Sequence, residues 1–109
     1  MFVGTTQANR KPEGYRQLTA STSAVALSEA TGGVPSSAIY AVIVVSDDDI
    51  RWRDDGTDPT SSVGMVAAND DDTRLIVLNS RKQIDDFRAI RVTTDAELNI
   101  SYYSAHPAY

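Results

Sequence analysis

Residues 38–46, which read AIYAVIVVS, limit the possible folds of this chain more than any other segment. The segment is rich in isoleucine and valine, and it is apolar at both odd and even positions. β-Branched residues favour strands, and a strand with two apolar faces is typical of the interior of a packed structure. We therefore predict a central strand here, which ends at the aspartate run 47–49.

Much of the remaining chain shows an apolar period of two, the period of a strand with one buried face. Shorter strands are predicted at residues 15–19, 24–27, 50–53, 63–67, 74–78, 87–93 and 97–103. The strands at 63–67 and 74–78 flank an acidic tip at 69–72, so we expect them to pair as a hairpin. A single short helix is predicted at residues 79–87, with Asn79 or Ser80 as its N-cap.

Many short strands with almost no helix indicate a β-sandwich or a small barrel. We predict an all-β fold, a small antiparallel β-sandwich of the jelly-roll kind with a flexible N-terminal arm. A length of 109 residues with 41% hydrophobic residues suits one core. The expected divisions are an arm at residues 1–14, the sandwich domain at 15–104 and a tail at 105–109. The polar arm is either a mobile end or a segment that orders on a partner.

Composition excludes several classes of function. With 10 Lys+Arg against 15 Asp+Glu the net charge is −5, which disfavours nucleic-acid binding because phosphate contacts need a basic patch. The chain has no cysteine, so disulfides, thiolate metal sites and cysteine nucleophiles are excluded. The longest apolar run, at 38–45, is shorter than the ~20 residues that cross a bilayer, and no signal peptide is expected at the start.

The sequence offers little that suggests catalysis. His106 is the only histidine, and it lies in the predicted tail, where no nucleophile and acid would be fixed around it. No glycine-rich phosphate loop, G-x-S-x-G elbow or H-E-x-x-H motif is present in the sequence. We expect a protein that is not an enzyme and that has no cofactor.

Three aspartate runs, at residues 47–49, 54–55 and 70–72, lie at predicted strand ends. Loop carboxylates can bind Ca²⁺, but the sequence has no calcium loop of the D-x-D-x-D-G type with a distal glutamate. Consecutive aspartates at a strand end point in opposite directions, which makes a shared ion difficult. We expect solvated loop tips that keep strand edges from pairing with other molecules, and no metal site.

The segment IRWRDDGT at residues 50–57 contains the only tryptophan. Its alternation predicts a strand that ends in a turn, with Ile50 and Trp52 facing the core and the two arginines facing the other side. The turn contains Gly56, a natural position for a positive φ. Arginines on these strands either pair within the sheet or contact another subunit. The candidate structural or interface residues are Arg51, Trp52, Arg53, Asp54, Asp55, Gly56, Arg88 and Arg91.

Three segments of the second half resemble small virion proteins of tailed bacteriophages. Residues 51–65 (RWRDDGTDPTSSVGM) are similar to an R-W-R-x-D-G-T-x-P-T-x-S-x-G-M pattern in that group. Residues 87–92 (FRAIRV) and 96–103 (AELNISYY) are similar to an aromatic-R-x-I-R-V strand and an A-x-L-N-x-S-Y-Y ending. The first half of the chain departs from the pattern.

The resemblance implies a particle component with a β-sandwich fold and no catalytic activity. A head decoration (cement) protein of this kind is made in the host cytoplasm, binds the major capsid protein on the outer capsid as a trimer, and clamps neighbouring subunits. The alternative is a neck, tail or fibre component with a host-surface or carbohydrate-binding role. A third hypothesis, from another class, is a small carbohydrate hydrolase or metal-dependent binding protein.

Overall fold

The computed structural model describes residues 10–105. Within them the chain forms eight strands and one short helix, α1. The strands are β1 (Arg10–Ala20), β2 (Val25–Ala26), β3 (Tyr40–Ser46), β4 (Ile50–Arg53), β5 (Met65–Ala67), β6 (Leu75–Leu78), β7 (Arg88–Arg91) and β8 (Ala96–Ala105). Helix α1 (Arg81–Asp86) joins β6 to β7, and short 3-10 turns follow β2 and precede β6. No helix among these residues is long and apolar enough to span a membrane.

The strands form two antiparallel four-stranded sheets that pack together. Sheet 1 has the order β1-β8-β3-β6, and sheet 2 has the order β2-β7-β4-β5. The first strand pairs with the eighth, the second with the seventh, the third with the sixth and the fourth with the fifth. This is one long antiparallel hairpin rolled into two sheets, the strand order of an eight-stranded jelly roll. The predicted sandwich is confirmed.

The inner faces of both sheets enclose one core. Leu98, Ile100 and Tyr102 of β8 face it from sheet 1, and Ile50 of β4 and Ala89 of β7 face it from sheet 2, all of them fully buried. Burying that much apolar surface is the main driving force for such a small fold. The core alternates along each strand with outward residues, as the pleat of a strand requires.

The central position of β3 is confirmed, but the expectation that it lies inside a packed structure is wrong for one face. β3 pairs with β8 on one side and β6 on the other. Ala41, Ile43 and Val45 are buried, whereas Val42 is half-buried and Val44 is exposed. A two-layer sandwich has only one inner side for each sheet, so the second apolar face of β3 is left on the surface.

The predicted hairpin of residues 63–67 and 74–78 does not exist. β5 pairs with β4 in sheet 2, and β6 pairs with β3 in sheet 1. The acidic segment between them contains a 3-10 turn, Asp72–Arg74, and crosses from one sheet to the other. Local alternation predicted each strand. The pairing of the strands, however, depends on how the whole chain folds into two sheets.

The predicted short helix and its cap are confirmed. Ser80 caps α1 by accepting a hydrogen bond from the Gln83 amide at 3.2 Å, and Ile84 is buried. The predicted arm at 1–14 is shorter than expected where the structure describes it, because residues 10–14 belong to β1. The rest of the arm lies outside the described residues, as does His106. Ala105, assigned to the tail, is the last residue of β8.

Candidate functional site: two outer sheet faces

The first candidate surface is the outer side of sheet 2, named here the arginine face and formed by Arg51, Arg53 and Arg88. Ile50 points into the core, so the alternation of β4 puts both of its arginines outside. Arg53 lies directly opposite Arg88 of β7 in the strand register. The structure therefore brings three of the four candidate arginines together.

Each guanidinium of the arginine face is engaged within the chain. Arg51 Nη1 donates to the Gly64 carbonyl at 2.9 Å. Arg53 forms a two-pronged pair with Asp55, with Nε to Oδ1 at 3.1 Å and Nη2 to Oδ2 at 2.5 Å. Arg88 Nη1 donates to the carbonyls of Asp85 and Phe87. The face fastens its own loops, so its arginines are not an open set of anion ligands.

Arg91 does not belong to this face. It lies opposite Ile50 in the register, which places it on the other side of β7 from Arg88. Its Nη1 pairs with Asp95 Oδ1 at 2.6 Å, and this pair holds the pKa of Asp95 below its ordinary value. Arg91 was among the candidates because it lies on a predicted strand, and the sequence analysis did not assign it to a face.

The β4–β5 loop, residues 54–64, is the tip of the rolled hairpin and carries the turn predicted from the sequence. Gly56 has φ of 81°, as expected, and its amide donates to the Asp86 carbonyl at 3.1 Å. Asp54 Oδ2 accepts from Gln83 Nε2 at 3.0 Å. Both contacts tie the tip to helix α1. The turn is therefore a structural corner held by the helix.

Trp52 packs between this corner and the core. Its ring is stacked on Phe87, with ring centroids 5.6 Å apart and planes at 24°. Phe87 is fully buried, whereas Trp52 is half-buried and packs against the core from its edge. The predicted inward direction of Trp52 is confirmed, although its burial is partial.

The aspartates act as hydrogen-bond acceptors for both backbone and side-chain donors. Asp48 Oδ2 accepts from the amide and the hydroxyl of Thr94 at 2.7 and 2.6 Å, which joins the β3–β4 loop to the β7–β8 loop. These bonds lower the pKa of Asp48. The Thr73 hydroxyl and amide lower the pKa of Asp71, and the Arg53 guanidinium lowers the pKa of Asp55. Ionised carboxylates in these roles stabilise loops.

The same contacts bear on the metal hypothesis. Asp49 Oδ1 accepts from the Asn69 amide at 3.0 Å, so two of the acidic loops meet through backbone rather than through an ion. Among residues 10–105, no group of three or more histidine, cysteine, aspartate or glutamate side chains is placed to hold a metal ion.

The second candidate surface is the outer side of sheet 1, and the sequence reasoning missed it. We name it the apolar sheet face. Its members are outward apolar and aromatic side chains from all four strands: Tyr15, Tyr40, Val42, Val44, Leu75, Val77 and Tyr103. Tyr15 is 57% exposed and Leu75 is 52% exposed. The signal was present in the two apolar faces of residues 38–46, which were assigned to a fully packed strand.

Two features give the apolar sheet face its shape. Val42 lies opposite Val77, and Val44 lies opposite Leu75, so β3 and β6 form a continuous aliphatic stripe. At one end Tyr40 and Tyr103 meet edge to face, with ring centroids 5.7 Å apart. The Arg10 guanidinium lies 3.6 Å above the Tyr40 ring centre, within range of a cation–π contact.

A shallow recess of about 310 Å³ opens at this end, lined by Arg10, Tyr40, Val42 and Tyr103. A second recess of about 290 Å³ lies beside the hairpin tip, where Val63 and Met65 are exposed next to Asp54 and Asp55. Contiguous exposed apolar surface on a small protein marks a contact with another molecule. The geometry thus indicates a binding surface.

Comparison with known proteins gave no match: no family model, no curated protein and no solved structure is similar to this chain at the level of significance required.

Proposed function

We propose that this chain is a virion structural protein of a tailed bacteriophage, a head decoration (cement) protein that binds the major capsid protein and stabilises the capsid lattice. It acts as a homo-oligomer on the outer surface of the particle and is not an enzyme. The observation that carries the proposal is the position of the resembling segments in the fold.

Two of the three segments that resemble phage virion proteins are neighbours in sheet 2, and the third lies in sheet 1. Residues 51–65 contain β4 and the hairpin tip, residues 87–92 contain β7, and residues 96–103 lie in β8. β7 pairs with β4 and stands beside it in sheet 2, while Phe87 supports Trp52. The resembling segments therefore supply β7 and most of β4 in sheet 2 and most of β8 in sheet 1, and the jelly-roll order is also found in viral capsid domains.

The side-chain chemistry supports a structural role. The carboxyl groups of Asp48, Asp55, Asp71 and Asp95 all have lowered pKa values, caused first by hydrogen bonds from neighbouring side chains. A general acid at neutral pH needs a raised carboxyl pKa, the opposite direction. These groups hold loops in place, which makes a rigid body suited to bridging capsid subunits.

The mechanism is a shift of equilibrium by binding. A protein that binds the assembled lattice and has no affinity for free capsid subunits favours the assembled state in proportion to the logarithm of its concentration over Kd. A rigid sandwich loses little conformational entropy when it binds, so more of the contact energy contributes to affinity.

The test is to locate and count the protein on purified particles. We expect it on virions at a copy number close to that of the major capsid protein, measured by quantitative mass spectrometry. Particles stripped of the protein should lose their genome at a lower temperature, and added purified protein should restore the original temperature. Presence in infected-cell lysate with absence from virions contradicts the proposal.

A second candidate, a neck, tail or fibre component that binds a host-surface carbohydrate, is favoured by the recess lined by Arg10, Tyr40 and Tyr103. Aromatic rings with a polar neighbour suit a sugar, and jelly rolls include lectin domains. Copy number separates the two: rings of a few copies per particle support this candidate and contradict the decoration role.

A further inference from the structure

We propose that the apolar sheet face is a contact between two copies of this chain, which pack face to face about a two-fold axis. The inference is independent of where the protein sits on a particle. It concerns a surface that the resembling segments 51–65 and 87–92 do not form. The resemblance implies three copies, whereas the symmetry of this face suits two.

The composition of the face is the first reason. An antiparallel sheet with one solvated side carries polar residues there, in alternation with the buried set. Here β3 has Tyr40, Val42 and Val44 on its outer side, and β6 has Leu75 and Val77. Five successive outward positions on two adjacent strands are thus apolar or aromatic. Such a stripe is costly in water and is stabilised when another apolar surface covers it.

The size of the face is the second reason. Four strands about 4.8 Å apart, with lengths from about 13 Å for β6 to about 36 Å for β1, give the whole outer side of sheet 1 roughly 500 Å² in plan, which includes the polar outward residues Glu97, Asn99 and Ser101 of β8. The accessible area of side chains that stand on such a face exceeds its plan area. It therefore approaches the ~800 Å² per partner of a standard stable interface.

Charge complementarity is the third reason, and it selects both the occupant and the orientation. Arg10 lies at the Tyr40 end of the face, with its guanidinium above the Tyr40 ring. Glu97 lies at the opposite end, since it pairs with Ser46 in the register, and it accepts from Thr19 Oγ1 at 2.9 Å. The face thus carries a cation at one end and an anion at the other.

We place the two-fold axis in the plane of the interface and at right angles to the strands, because this orientation brings the positive end of one copy to the negative end of the other. It reverses the strand direction of the second copy while leaving like strands opposite each other. Arg10 of each copy then meets the Glu97 end of its partner, and Val42 of β3 packs near the partner's Val44. The same residues serve both sides, as a two-fold contact requires. The alternative axis, parallel to the strands, would place both copies of Arg10 at the same end of the interface and leave neither near a partner's Glu97.

The first experiment measures mass in solution. The intact chain at about 100 µM, which populates a dimer of micromolar Kd, is expected to give twice the 11.8 kDa chain mass by light scattering. The variants Val44→Glu and Leu75→Glu should be monomeric. Val66→Glu is the matched control, because Val66 is also an exposed strand residue, at 45%, but lies on sheet 2; it should stay dimeric. Melting curves confirm that each variant folds.

The second experiment tests the orientation. Arg10→Glu and Glu97→Arg should each weaken the dimer about tenfold, because each reverses the charge in two symmetric rim pairs. The double variant should recover most of the affinity. A chain that starts at Arg10 should remain dimeric if the face, and not residues 1–9, makes the contact.

Several results overturn the inference. A monomer at the highest concentration shows that the face is covered by something else, such as the capsid surface. A three-copy mass excludes the two-fold pairing. A dimer that survives Leu75→Glu places the contact elsewhere, and a double charge variant weaker than both single variants excludes the proposed axis. Sugar binding to the intact dimer at the Tyr40 recess also contradicts it, because the second copy would cover that recess.

Discussion

At the scale of single residues, arginine and aspartate side chains stabilise the loops of this fold through hydrogen bonds. Arg16 Nε donates to the Gly33 carbonyl at 3.0 Å, and Arg81 Nη1 donates to the carbonyls of Pro35, Ser36 and Ala38. Together they hold the long loop between β2 and β3. No sequence pattern predicts this role, since one arginine lies on an alternating strand and the other begins a helix.

Tyr102 is the residue with the clearest conflict between burial and chemistry. Its side chain is fully buried, and its hydroxyl has no hydrogen-bond partner among residues 10–105. Burial raises the pKa of the phenol to about 12, while the charges of Arg16 and Arg81 act in the opposite direction. A buried hydroxyl without a partner carries its full desolvation penalty.

We expect Tyr102→Phe to be neutral or to raise the free energy of unfolding by about 1 kcal/mol at pH 7, because it removes the unpaired hydroxyl. The folded-state pKa is raised, so the intact protein loses stability as pH rises from 10 towards 12, by roughly 3 kcal/mol in all. The variant should lack this part of the loss. Urea unfolding at pH 7 and between pH 9 and 11 measures both effects. A strongly destabilised Tyr102→Phe would show that the hydroxyl is bonded.

Trp52 tests whether the corner is structural. Trp52→Ala removes the stacking on Phe87 and opens a space at the core edge, so we expect a loss of about 2 to 3 kcal/mol, less than for a fully buried tryptophan. Trp52→Phe, which keeps an aromatic ring on Phe87, should lose less. Thermal unfolding of the two variants provides the comparison. An unchanged melting temperature for Trp52→Ala would instead assign the ring to ligand binding.

Secondary-structure elements were predictable from sequence to different degrees. The positions of β3, β4, β8 and α1 follow from local periodicity and from the Ser80 cap. Pairing was not predictable in this way: β5 and β6 look like a hairpin but belong to different sheets. The candidate site was likewise predictable only in part. Alternation predicts which side of the sheet Arg51 and Arg53 face, but it does not predict the hydrogen-bond partner of each guanidinium.

The extent of β1 predicts different effects for two truncations of the N-terminal arm. Removal of residues 1–9 leaves every described strand intact and, under the proposed function, should weaken attachment to the particle. Removal of residues 1–14 should also lower stability by at least about 1 kcal/mol, roughly 5 °C. It cuts the strand and removes Glu13, whose carboxylate accepts from the Ser104 hydroxyl at 2.5 Å.

Melting curves and particle-binding assays on both truncations, with the intact chain as control, separate the two effects. Particle binding by the shorter truncation that equals that of the intact chain would mean that residues 1–9 take no part in attachment.

At the scale of the whole molecule, composition and the apolar period of two predicted a two-layer sandwich. They did not predict which surfaces cover the outer sides of its sheets. Among residues 10–105, hydrophobic side chains are also found outside the core, and several of them lie on the apolar sheet face and near the hairpin tip. A sequence pattern records that a residue is apolar, not whether its cover comes from the same chain. For this reason residues 38–46 predicted burial on both faces of β3, whereas the chain itself buries only one of them.

The strand order also governs when this protein can fold during its synthesis. β8 is the last strand to leave the ribosome, yet it lies in the middle of sheet 1 and joins β1 to β3. Until it emerges, β1 has no strand to pair with, and the apolar residues of β3 lack a neighbour on one side. Contacts this distant along the chain make folding slow. Sheet 1 is therefore complete only after β8 has emerged, and until then the valine-rich segment of β3 needs protection from aggregation.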